Sequence, residues 1–417
     1  MGRCIVSVPL LLISDAPTAS TGFGRITKDI ATRIATNLAA EYRVATFGYG
    51  GPCSRHLPFH QYIIEGMRDD WVTHTLPDVW RDWAGDERGS ILWIWDASRL
   101  SWLARPDMFP ELLEDYPGLG KRIKAMNAEK WLYCPVDSEG PGPNGALSFP
   151  LKATLFGFDR IIAYTKFGEN VIRKTMGDVE ADKRHITNLP HGVDPEIFFE
   201  MPRQACRKAF FTRTGAAPMT NKKPEPIQDG EILITCVATN QTRKDWALVF
   251  EMAAILGQER RVRLWAHTDA IERYWSLAAL ATDFNLVDRT VVSLGVLPDE
   301  QMAIGYSACD LSIAPGAEGF GLPALESVSC GTPCLTMNYA AGAEVLGSFP
   351  EFLVDPIAYR YDGLYASRRP VHSAQQWAER AEKIIGKRTN QPTEYDWGNV
   401  WPRWQNYFIA AAKEGQK

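Results

Sequence analysis

The sequence has no long hydrophobic run, no paired cysteines and no strong excess of one charge. No apolar segment reaches the roughly 20 residues that a membrane-spanning helix needs, so we expect a cytoplasmic protein. The eight cysteines are scattered, with neither a CxxC pair nor a Cys/His cluster at zinc-ligand spacing, which indicates reduced, mostly buried thiols. A net charge of −5 argues against broad capture of nucleic acid, although a local basic surface can exist within an acidic average.

Nucleotide-binding motifs of the common kinds are also missing. The loop SDAPTASTGFGR does not have the GxGxxG pattern of dinucleotide-binding proteins, and no Walker lysine follows it. No DxD motif occurs, which agrees with a site that needs no metal, and we expect no cofactor. The sequence lacks an amphipathic basic helix of the kind that docks proteins on membranes, so it gives no strong membrane signal.

What the sequence does contain is a repeated alternation of short apolar runs and amphipathic stretches, typical of parallel sheets covered by helices. The first series predicts strands at 4–14, 42–48, 91–96, 130–135, 160–164 and 186–190 and helices at 24–40, 98–104 and 166–176. The second predicts strands at 231–240, 261–267, 290–295 and 311–314 and helices at 245–257, 270–281, 299–308 and 322–330. The predicted fold class is α/β, with two doubly wound, Rossmann-like domains.

A polar stretch rich in proline and lysine separates the two series. It predicts an N-terminal domain at 1–195, a linker at 196–230, a C-terminal domain at 231–372 and two helices at 373–417. We expect these helices to pack back on the N-terminal domain, with their tryptophans in the core; a carbohydrate platform is the alternative. The apolar start CIVSVPLLLI is also compatible with a signal peptide, but the turn and helix behind it favour a core strand.

Open parallel sheets bind ligands at the carboxyl ends of their strands, where loops lead into helices. Gly22 and Gly24 lie in such a loop and would let a ligand approach the backbone and the helix N-terminus. In the second domain, Arg243 and Lys244 follow the first strand, where fixed cations would neutralise a diphosphate. Ordinary turn chemistry and a solvated charge pair are the respective alternatives.

The segment APGAEGFGLPALESVSCGTP contains a loop with two carboxylates. Gly319 and Gly321 leave their amides accessible to phosphate or sugar oxygens, and a proline suits the first turn of a helix that begins near Leu322. Glu326 falls in that helix, where offsetting the helix dipole is sufficient reason for a carboxylate. Glu318 precedes the helix, on a loop at the ligand-binding edge, and has no such structural reason.

These segments together resemble a known family. EGFGLPALE, with glutamates separated by seven residues, is similar to the EX7E element of the retaining, nucleotide-sugar-dependent glycosyltransferases that include sucrose synthases and bacterial mannosyltransferases. TGFGR resembles the N-terminal glycine loop of that family, LPHGVDPEIFF (189–199) its GVD…F segment, and NQTRKDW its cationic diphosphate site. The four pieces occur in the family's order, which makes the resemblance specific.

The resemblance implies the GT-B fold, with two facing Rossmann-like domains and a donor held mainly by the C-terminal one. It implies that Glu318 lies against the donor sugar, that Glu326 holds the ribose, and that the amides between them contact sugar and phosphate. The implied donor-binding residues are Gly22, Gly24, Arg243, Lys244, Glu318, Gly319, Phe320, Gly321, Leu322 and Glu326.

The cationic site departs from the family pattern. Lys244 corresponds directly to the family's lysine, whereas the family's arginine normally stands several residues earlier, where this chain has Thr239 and Asn240. Arg243 is therefore expected to act as a substitute.

The first domain contributes the segment YCPVDSEGPGPNG. Many relatives have a histidine here that contacts the transferred sugar, and this chain offers Asp137 or Glu139 instead. Asp96 ends the preceding strand and is a weaker candidate. The alternative is that Asp96 only caps the helix that follows. His191, within LPHGVDPEIFF, is another weak candidate. The predicted catalytic residues are Glu318, Asp137 and Lys244.

The resemblance implies a hexosyltransferase that moves a sugar from a nucleoside diphosphate sugar to an acceptor hydroxyl, with retention and without a metal. The alternatives are an inactive sugar-nucleotide-binding scaffold and a sugar-nucleotide epimerase on the same fold; a phosphorylase would need a lysine for pyridoxal phosphate, and none is identifiable. The expected partners are a nucleotide sugar and an unidentified acceptor: a saccharide, a small molecule, a protein or a modified DNA base.

Overall fold

The structure is a computed structural model, which describes residues 7–64, 71–104, 118–220, 222–390 and 392–415. Two compact units are present, each built on a seven-stranded sheet. The first unit consists of the chain up to His191, the segment Gly363–Ser367 and the residues from Val400 onward. The second unit consists of Gly192–Asp362 and Arg368–Asn399. The predicted pair of doubly wound α/β domains is therefore confirmed. Residues 4–6 of the first predicted strand lie outside the described residues.

The first sheet is parallel throughout, and its strands follow the order β3-β2-β1-β4-β5-β6-β7. Its central strand is buried from its second residue onward because helices cover both faces, which explains the uninterrupted apolar sequence. The strands are β1 (Val8–Asp15), β2 (Tyr42–Tyr49), β3 (His60–Ile64), β4 (Gly89–Ile94), β5 (Ala128–Cys134), β6 (Arg160–Ala163) and β7 (Thr187–Asn188). The helices are α1 (Gly22–Asn37), α2 (Trp71–Ala84), α3 (Ser101–Ala104), α4 (Leu119–Ala125), α5 (Phe149–Leu155), α6 (Lys166–Met176) and α7 (Asp178–Lys183).

The second sheet has the order β14-β13-β12-β9-β10-β11-β8, parallel except for the antiparallel edge strand β8. Its strands are β8 (Ala217–Pro218), β9 (Ile232–Val237), β10 (Val262–Thr268), β11 (Thr290–Leu294), β12 (Leu311–Ala314), β13 (Cys334–Met337) and β14 (Leu353–Val354). Its helices are α8 (Arg203–Thr214), α9 (Trp246–Leu256), α10 (Leu277–Asp283), α11 (Asp299–Ala308), α12 (Leu322–Ser329), α13 (Ala340–Val345) and α14 (Ala374–Ile384). A separate two-stranded hairpin follows, β15 (Ala358–Asp362) and β16 (Ser367–Val371).

The last helix, α15 (Trp397–Gly415), carries the C-terminal tryptophans, and from Val400 onward it belongs to the first unit. Trp404 is fully buried and its Nε1 donates to the Pro190 carbonyl at 2.9 Å. Trp397 is also buried, whereas Trp401 is half-buried. At Trp404 and Trp397 the core interpretation is confirmed. Helix α14 lies in the second unit and packs on α9.

One helix starts later than the sequence predicts, and the predicted linker contains a helix. The helix predicted at 270–281 begins only at Leu277, because the buried Asn240 side chain binds the backbone of the preceding loop: it donates to the Trp275 carbonyl at 2.7 Å and accepts from the Trp275 N–H at 2.9 Å. The stretch predicted as a linker at 196–230 contains α8, which packs on α11 within the second unit.

Both sheets change winding direction between two neighbouring central strands, β1 and β4 in the first and β9 and β12 in the second. Ligands of open α/β sheets bind outside the carboxyl ends of the strands at such a point. The loops after β9 and β12 are therefore the part of the second unit in which a ligand site is expected.

Candidate functional site

The loop after β9 positions two cations. A short 3-10 turn at Thr242–Lys244 is followed by Asp245 in the left-handed region, with φ 43°. The Asp245 carboxylate accepts from the Leu248 N–H at 3.4 Å and caps α9. This abrupt entry into the helix fixes the backbone of Arg243 and Lys244 at the carboxyl edge of the sheet.

The loop after β12 brings Glu318 to those cations. Arg243 Nη1 lies 3.1 Å from Glu318 Oε2 and donates to the Ala317 carbonyl at 3.0 Å, and Lys244 Nζ is ion-paired with Glu318 Oε1. The substitute arginine therefore reaches the loop that carries the first glutamate. Three predicted site residues form one cluster.

Burial and charge act against each other in this cluster. Burial alone would raise the pKa of Glu318, but Lys244 and Arg243 lower it below its ordinary value, so the carboxylate stays ionised. Burial and the neighbouring Arg243 lower the pKa of Lys244, and Glu318 opposes that shift. Lys244 has a relative exposure of only 8%, so the carboxylate is what supports its positive charge.

Glycines surround the cluster for two physical reasons. A Cβ at Gly316 would lie 3.0 Å from the Arg243 carbonyl and 3.0 Å from Lys244 Cδ, so a side chain there would crowd the cations. Gly321 has φ 95°, a left-handed conformation that favours glycine, and it leads into α12. Gly319 lies in the bend between them.

The side chains of the loop anchor it. Phe320 is buried and its ring centroid lies 5.8 Å from that of Tyr395, with the planes at 78°. Leu322, the first residue of α12, is half-buried. The loop backbone is therefore held in place by an apolar contact on one side and by the Glu318 ion pairs on the other.

Glu326 lies in α12 and is buried, with a relative exposure of 4%. Its Oε2 accepts from the Tyr306 hydroxyl at 3.3 Å. The contacts described for Glu326 do not include the cationic cluster, so its expected role at the ribose stays a prediction.

Asn240 and Asp269 lie at the carboxyl edge of the second sheet, and the sequence does not indicate that they are partners. The Asn240 N–H donates to Asp269 Oδ1 at 2.6 Å, and the Asn240 side chain binds the loop that ends at Trp275. At the position where the resemblance predicts an arginine, this chain has Asn240, which orders the neighbouring loop. No pattern in the sequence signals this, because the partners are about 30 residues apart.

In the first unit, the two glycines of the N-terminal loop behave differently. Nothing lies within 4 Å of a Cβ added at Gly22, so a side chain at this position would meet open space. At Gly24 a Cβ would lie 2.6 Å from the Ala19 carbonyl, and the Gly24 N–H already donates to Thr21 Oγ1 at 3.0 Å. Gly24 is therefore required by the packing of its own loop.

The strand end beside this loop holds an acid that the sequence analysis missed. Asp15, the last residue of β1, is buried, accepts a short hydrogen bond from the Thr21 hydroxyl and lies 3.4 Å from Trp95 Nε1. The rule that ligand-facing residues follow strand ends also applies to Asp15. Asp96 follows β4 on the adjacent strand, and its side chain makes no capping hydrogen bond to the next helix.

The loop after β5 holds the remaining acidic candidates. Asp137 is half-buried, and Glu139 is paired with Lys174 at 3.6 Å. A Cβ at Gly145, where φ is 84°, would lie 2.7 Å from Glu139 Cδ, so this loop folds tightly on itself. The Glu139 side chain is therefore held by Lys174 and by the backbone of its own loop.

His191 lies in the core of the first unit. It has a relative exposure of 1%, and its Nδ1 is 2.7 Å from the Tyr133 hydroxyl. Burial, with a contribution from Arg25, lowers the pKa of His191 to about 3, so the imidazole is neutral at physiological pH.

No group of three or more His, Cys, Asp or Glu side chains that could hold a metal ion is found in the described part of the chain. Within the same residues, every helix is too short or too polar to cross a bilayer.

Comparisons with known proteins show what the chain resembles. Residues 219–358, which include the cationic loop and the Glu318 loop, match the family model described as "Glycosyl transferases group 1". The chain is 34% identical over 82 residues to the serotype-specific mannosyltransferase WbdA of Escherichia coli, an alignment that covers 19% of this chain and 10% of that protein. The aligned part thus spans about a tenth of that relative's length.

Two solved structures resemble the whole chain. Sucrose-phosphate synthase from Thermosynechococcus elongatus has a TM-score of 0.65 at 17% identity, covering 97% of this chain and 100% of that one. Anabaena Alr3699/HepE in complex with UDP and glucose has a TM-score of 0.61 at 11% identity, with the same coverage. At these identities the likeness shows the fold, and the GT-B fold is confirmed.

Proposed function

We propose that this chain, whose residues 219–358 match the glycosyl transferases group 1 family, transfers a sugar from a nucleoside diphosphate sugar to an acceptor hydroxyl, with retention and without a metal. The observation that carries the proposal is the cluster of Arg243, Lys244 and Glu318 on glycine-rich backbone at the winding reversal of the second sheet. Such a place combines positive charge, glycine-rich backbone and one carboxylate.

A diphosphate donor suits this combination. Two phosphates carry the charge that Arg243 and Lys244 neutralise, and the amides around Gly316 and Gly321 can donate to their oxygens. Anabaena Alr3699/HepE is a structural relative that binds UDP and glucose, which supports a nucleotide sugar as the donor class here.

The ion pairs suggest how the site changes when a donor binds. In the protein alone, Glu318 neutralises both cations. We expect the donor diphosphate to take over Arg243 and Lys244, which would leave Glu318 free to accept hydrogen bonds from hydroxyls of the hexose. Phosphate binding and sugar recognition would then be coupled through one exchange of partners.

The chemical step needs stabilisation of the departing diphosphate. As the glycosidic bond to the diphosphate breaks, negative charge grows on the leaving oxygen, and preorganised cations and amides stabilise that charge without a metal. Retention follows from the family resemblance, with the acceptor oxygen attacking from the face that the diphosphate leaves. The acceptor proton passes to a diphosphate oxygen, and a catalytic role for Asp137 stays a prediction.

A thermal-shift screen with UDP-, GDP-, ADP- and TDP-sugars tests the donor. A ligand at a hundred times its dissociation constant stabilises a protein by about 2.7 kcal/mol. We expect one base to raise the melting temperature and the others to have little effect. If no nucleotide sugar and no nucleoside diphosphate does so, the proposal is wrong.

Donor turnover separates the proposal from its alternatives. A transferase slowly hydrolyses its donor and releases nucleoside diphosphate when no acceptor is present, whereas an epimerase converts the donor sugar and releases none. A protein that binds the donor and leaves it unchanged, with every acceptor class offered, would be a scaffold.

A further inference from the structure

The first unit contains a buried carboxylate that is not part of an ion pair. Asp15, the last residue of β1, has a relative exposure of 6%. Its described partners are neutral: Oδ2 accepts a short hydrogen bond from the Thr21 hydroxyl, and Oδ1 lies 3.4 Å from Trp95 Nε1. Among the described residues, no arginine or lysine is ion-paired with it. A buried charge is costly unless it is paired, so packing alone does not explain this carboxylate.

The position of Asp15 indicates a ligand. The first sheet changes winding direction between β1 and β4, and ligands of open α/β sheets bind at the carboxyl ends of such strands. Asp15 ends β1, and Trp95 directly follows β4. The carboxylate therefore lies where the first sheet is expected to hold a ligand of its own.

A second polar group at the same edge also lacks a partner. Tyr164 directly follows β6 and has a relative exposure of 3%, and no described residue offers its hydroxyl a hydrogen bond. Burial raises the pKa of Tyr164 well above its ordinary value, and the Asp96 and Asp15 carboxylates raise it further, so the hydroxyl keeps its proton. Buried hydroxyls are nearly always hydrogen-bonded, so this one indicates a partner that binds at the edge.

The carboxylate lies just beneath an open part of the surface. Thr21 and Gly22 are exposed, and a Cβ at Gly22 would have nothing within 4 Å. The Thr21 hydroxyl reaches Asp15 directly. Tyr49, which pairs with Asp15 in the register of β1 and β2, is half-buried. Because Asp15 itself is recessed, only a group that projects from its carrier can reach it.

The groups at this edge favour a neutral ligand that carries several hydroxyls. A carboxylate accepts hydrogen bonds, and a tyrosine hydroxyl both donates and accepts them. Asp15 would repel a phosphate, and an ammonium group would meet Arg99, which donates to the Tyr49 hydroxyl at 3.4 Å. Neutral hydroxyls suit both groups, because they can donate to Asp15 and accept from Tyr164.

We propose that the carboxyl edge of the first sheet binds the acceptor through Asp15 and Tyr164, and that this acceptor is a neutral polyol: a sugar or cyclic polyalcohol, free or at the end of a chain. The inference rests on the proposed transfer activity and names its acceptor class. Two hydroxyls of the polyol are held, and another attacks the donor sugar. Its oxygen bonds to the anomeric carbon, the bond from that carbon to the diphosphate breaks, and its proton passes to the diphosphate.

Acceptor-dependent release of nucleoside diphosphate from the donor tests the proposal on the full chain. The neutral probes are glucose, mannose, myo-inositol and mannotriose; the others are mannose 6-phosphate, a serine-rich peptide and a single-stranded DNA with hydroxymethylated bases. We expect at least one neutral probe to raise the release above the rate of donor hydrolysis, and the charged probes to leave it unchanged. A preference for mannotriose over mannose would identify the end of a chain, and the reverse a free sugar.

Tyr164→Phe is the sharpest variant, because it removes a hydroxyl to which the described residues give no partner. We expect the acceptor KM to rise by about fivefold, with the melting temperature and the hydrolysis of donor unchanged. Thr46→Val is the matched control. The Thr46 hydroxyl is likewise buried without a partner among the described residues, but it lies in the middle of β2, so the acceptor KM should stay within about twofold.

Asp15→Asn keeps the shape of the side chain and removes its charge. The KM for the neutral acceptor should rise by at least about tenfold, because hydrogen bonds to charged groups are the stronger ones. Discrimination against mannose 6-phosphate should weaken at the same time. A residue that only supported the fold would lower the melting temperature without changing this preference.

Two results would overturn the proposal: no neutral polyol raises the release of nucleoside diphosphate, or Tyr164→Phe leaves the acceptor KM unchanged. The second result decides the question even if Asp15→Asn does not fold. Donor hydrolysis without any response to polyols refutes the acceptor inference alone. Absence of both donor binding and donor hydrolysis refutes the proposed transfer activity, and calorimetric titration with the same polyols then shows whether the edge binds them and whether Tyr164→Phe weakens that binding.

Discussion

Two ion clusters with the same pattern of charge lie at opposite ends of strand β12. Before the strand, Asp310 is paired with two arginines of α8; after it, Glu318 is paired with Arg243 and Lys244. Each cluster has one carboxylate and two cations, and the carboxylates are only eight residues apart. Composition alone therefore does not distinguish a structural ion cluster from a candidate binding site.

The difference lies in what else each carboxylate holds. Asp310 also accepts from the backbone N–H of Leu233 at 2.8 Å, and its arginines fasten α8 to the sheet. Glu318 instead lies on a glycine loop, and its partners come from the loop of the neighbouring strand. A cluster in which the carboxylate also holds backbone of a core strand maintains the fold, whereas one on a glycine loop at a winding reversal can exchange partners with a ligand.

The largest expected effect is on stability at the first cluster. Asp310→Ala removes a buried carboxylate and leaves the half-buried Arg203 and Arg207 without their counter-ion. It should lower the free energy of unfolding by about 3–5 kcal/mol, measured by urea denaturation. Nucleoside diphosphate affinity of the folded variant, measured well below its melting temperature, should change by less than about twofold. Unchanged stability would break the distinction between the two clusters.

The second expected effect is on transfer at the other cluster. Lys244→Met keeps the apolar stem and removes the charge that faces the leaving diphosphate, so donor turnover should fall by at least about 100-fold. The melting temperature should change little, because Arg243 still neutralises Glu318. Lys208→Met, at an exposed lysine of α8, is the matched control and should retain full turnover. Turnover above a tenth of the original in Lys244→Met would contradict the assignment.

The third prediction concerns His191, which tests whether a perturbed pKa by itself marks a functional site. His191 is buried with a pKa of about 3, so the unfolded chain takes up a proton below pH 6.5 that the folded chain does not. Unfolding free energy should consequently fall by about 2 kcal/mol from this residue between pH 7 and pH 5. The pH dependence of unfolding should be shallower by that amount in His191→Gln, with donor turnover retained. A large loss of turnover in this variant would give His191 a direct role instead.

The smallest expected effect concerns the exchange of partners at Glu318. Glu318→Gln removes the carboxylate that competes for Arg243 and Lys244, so nucleoside diphosphate should bind about fivefold tighter, roughly 1 kcal/mol. Transfer should nonetheless fall, because the contact to the hexose is lost. Calorimetric titration of the two proteins measures the difference. Weaker binding by the variant would show that Glu318 does not compete with the diphosphate.

Local patterns were sufficient to predict most strands and the cationic and glycine loops, because each is encoded by a short segment of the chain. The shortened helix at Leu277 was not predictable, since its start depends on Asn240, which lies 37 residues earlier. The pairing of Arg243 with Glu318 likewise joins residues 75 apart. The hairpin was missed because its strands have no buried face and hence no alternating apolar pattern.

A crystal structure of the protein soaked with its nucleoside diphosphate sugar tests the donor site most directly. We expect the diphosphate within hydrogen-bond distance of Lys244 Nζ and of the amides between Gly316 and Gly321, with Glu318 turned from the cations to the hexose. A diphosphate bound elsewhere, with the Lys244–Glu318 pair intact, would contradict that site.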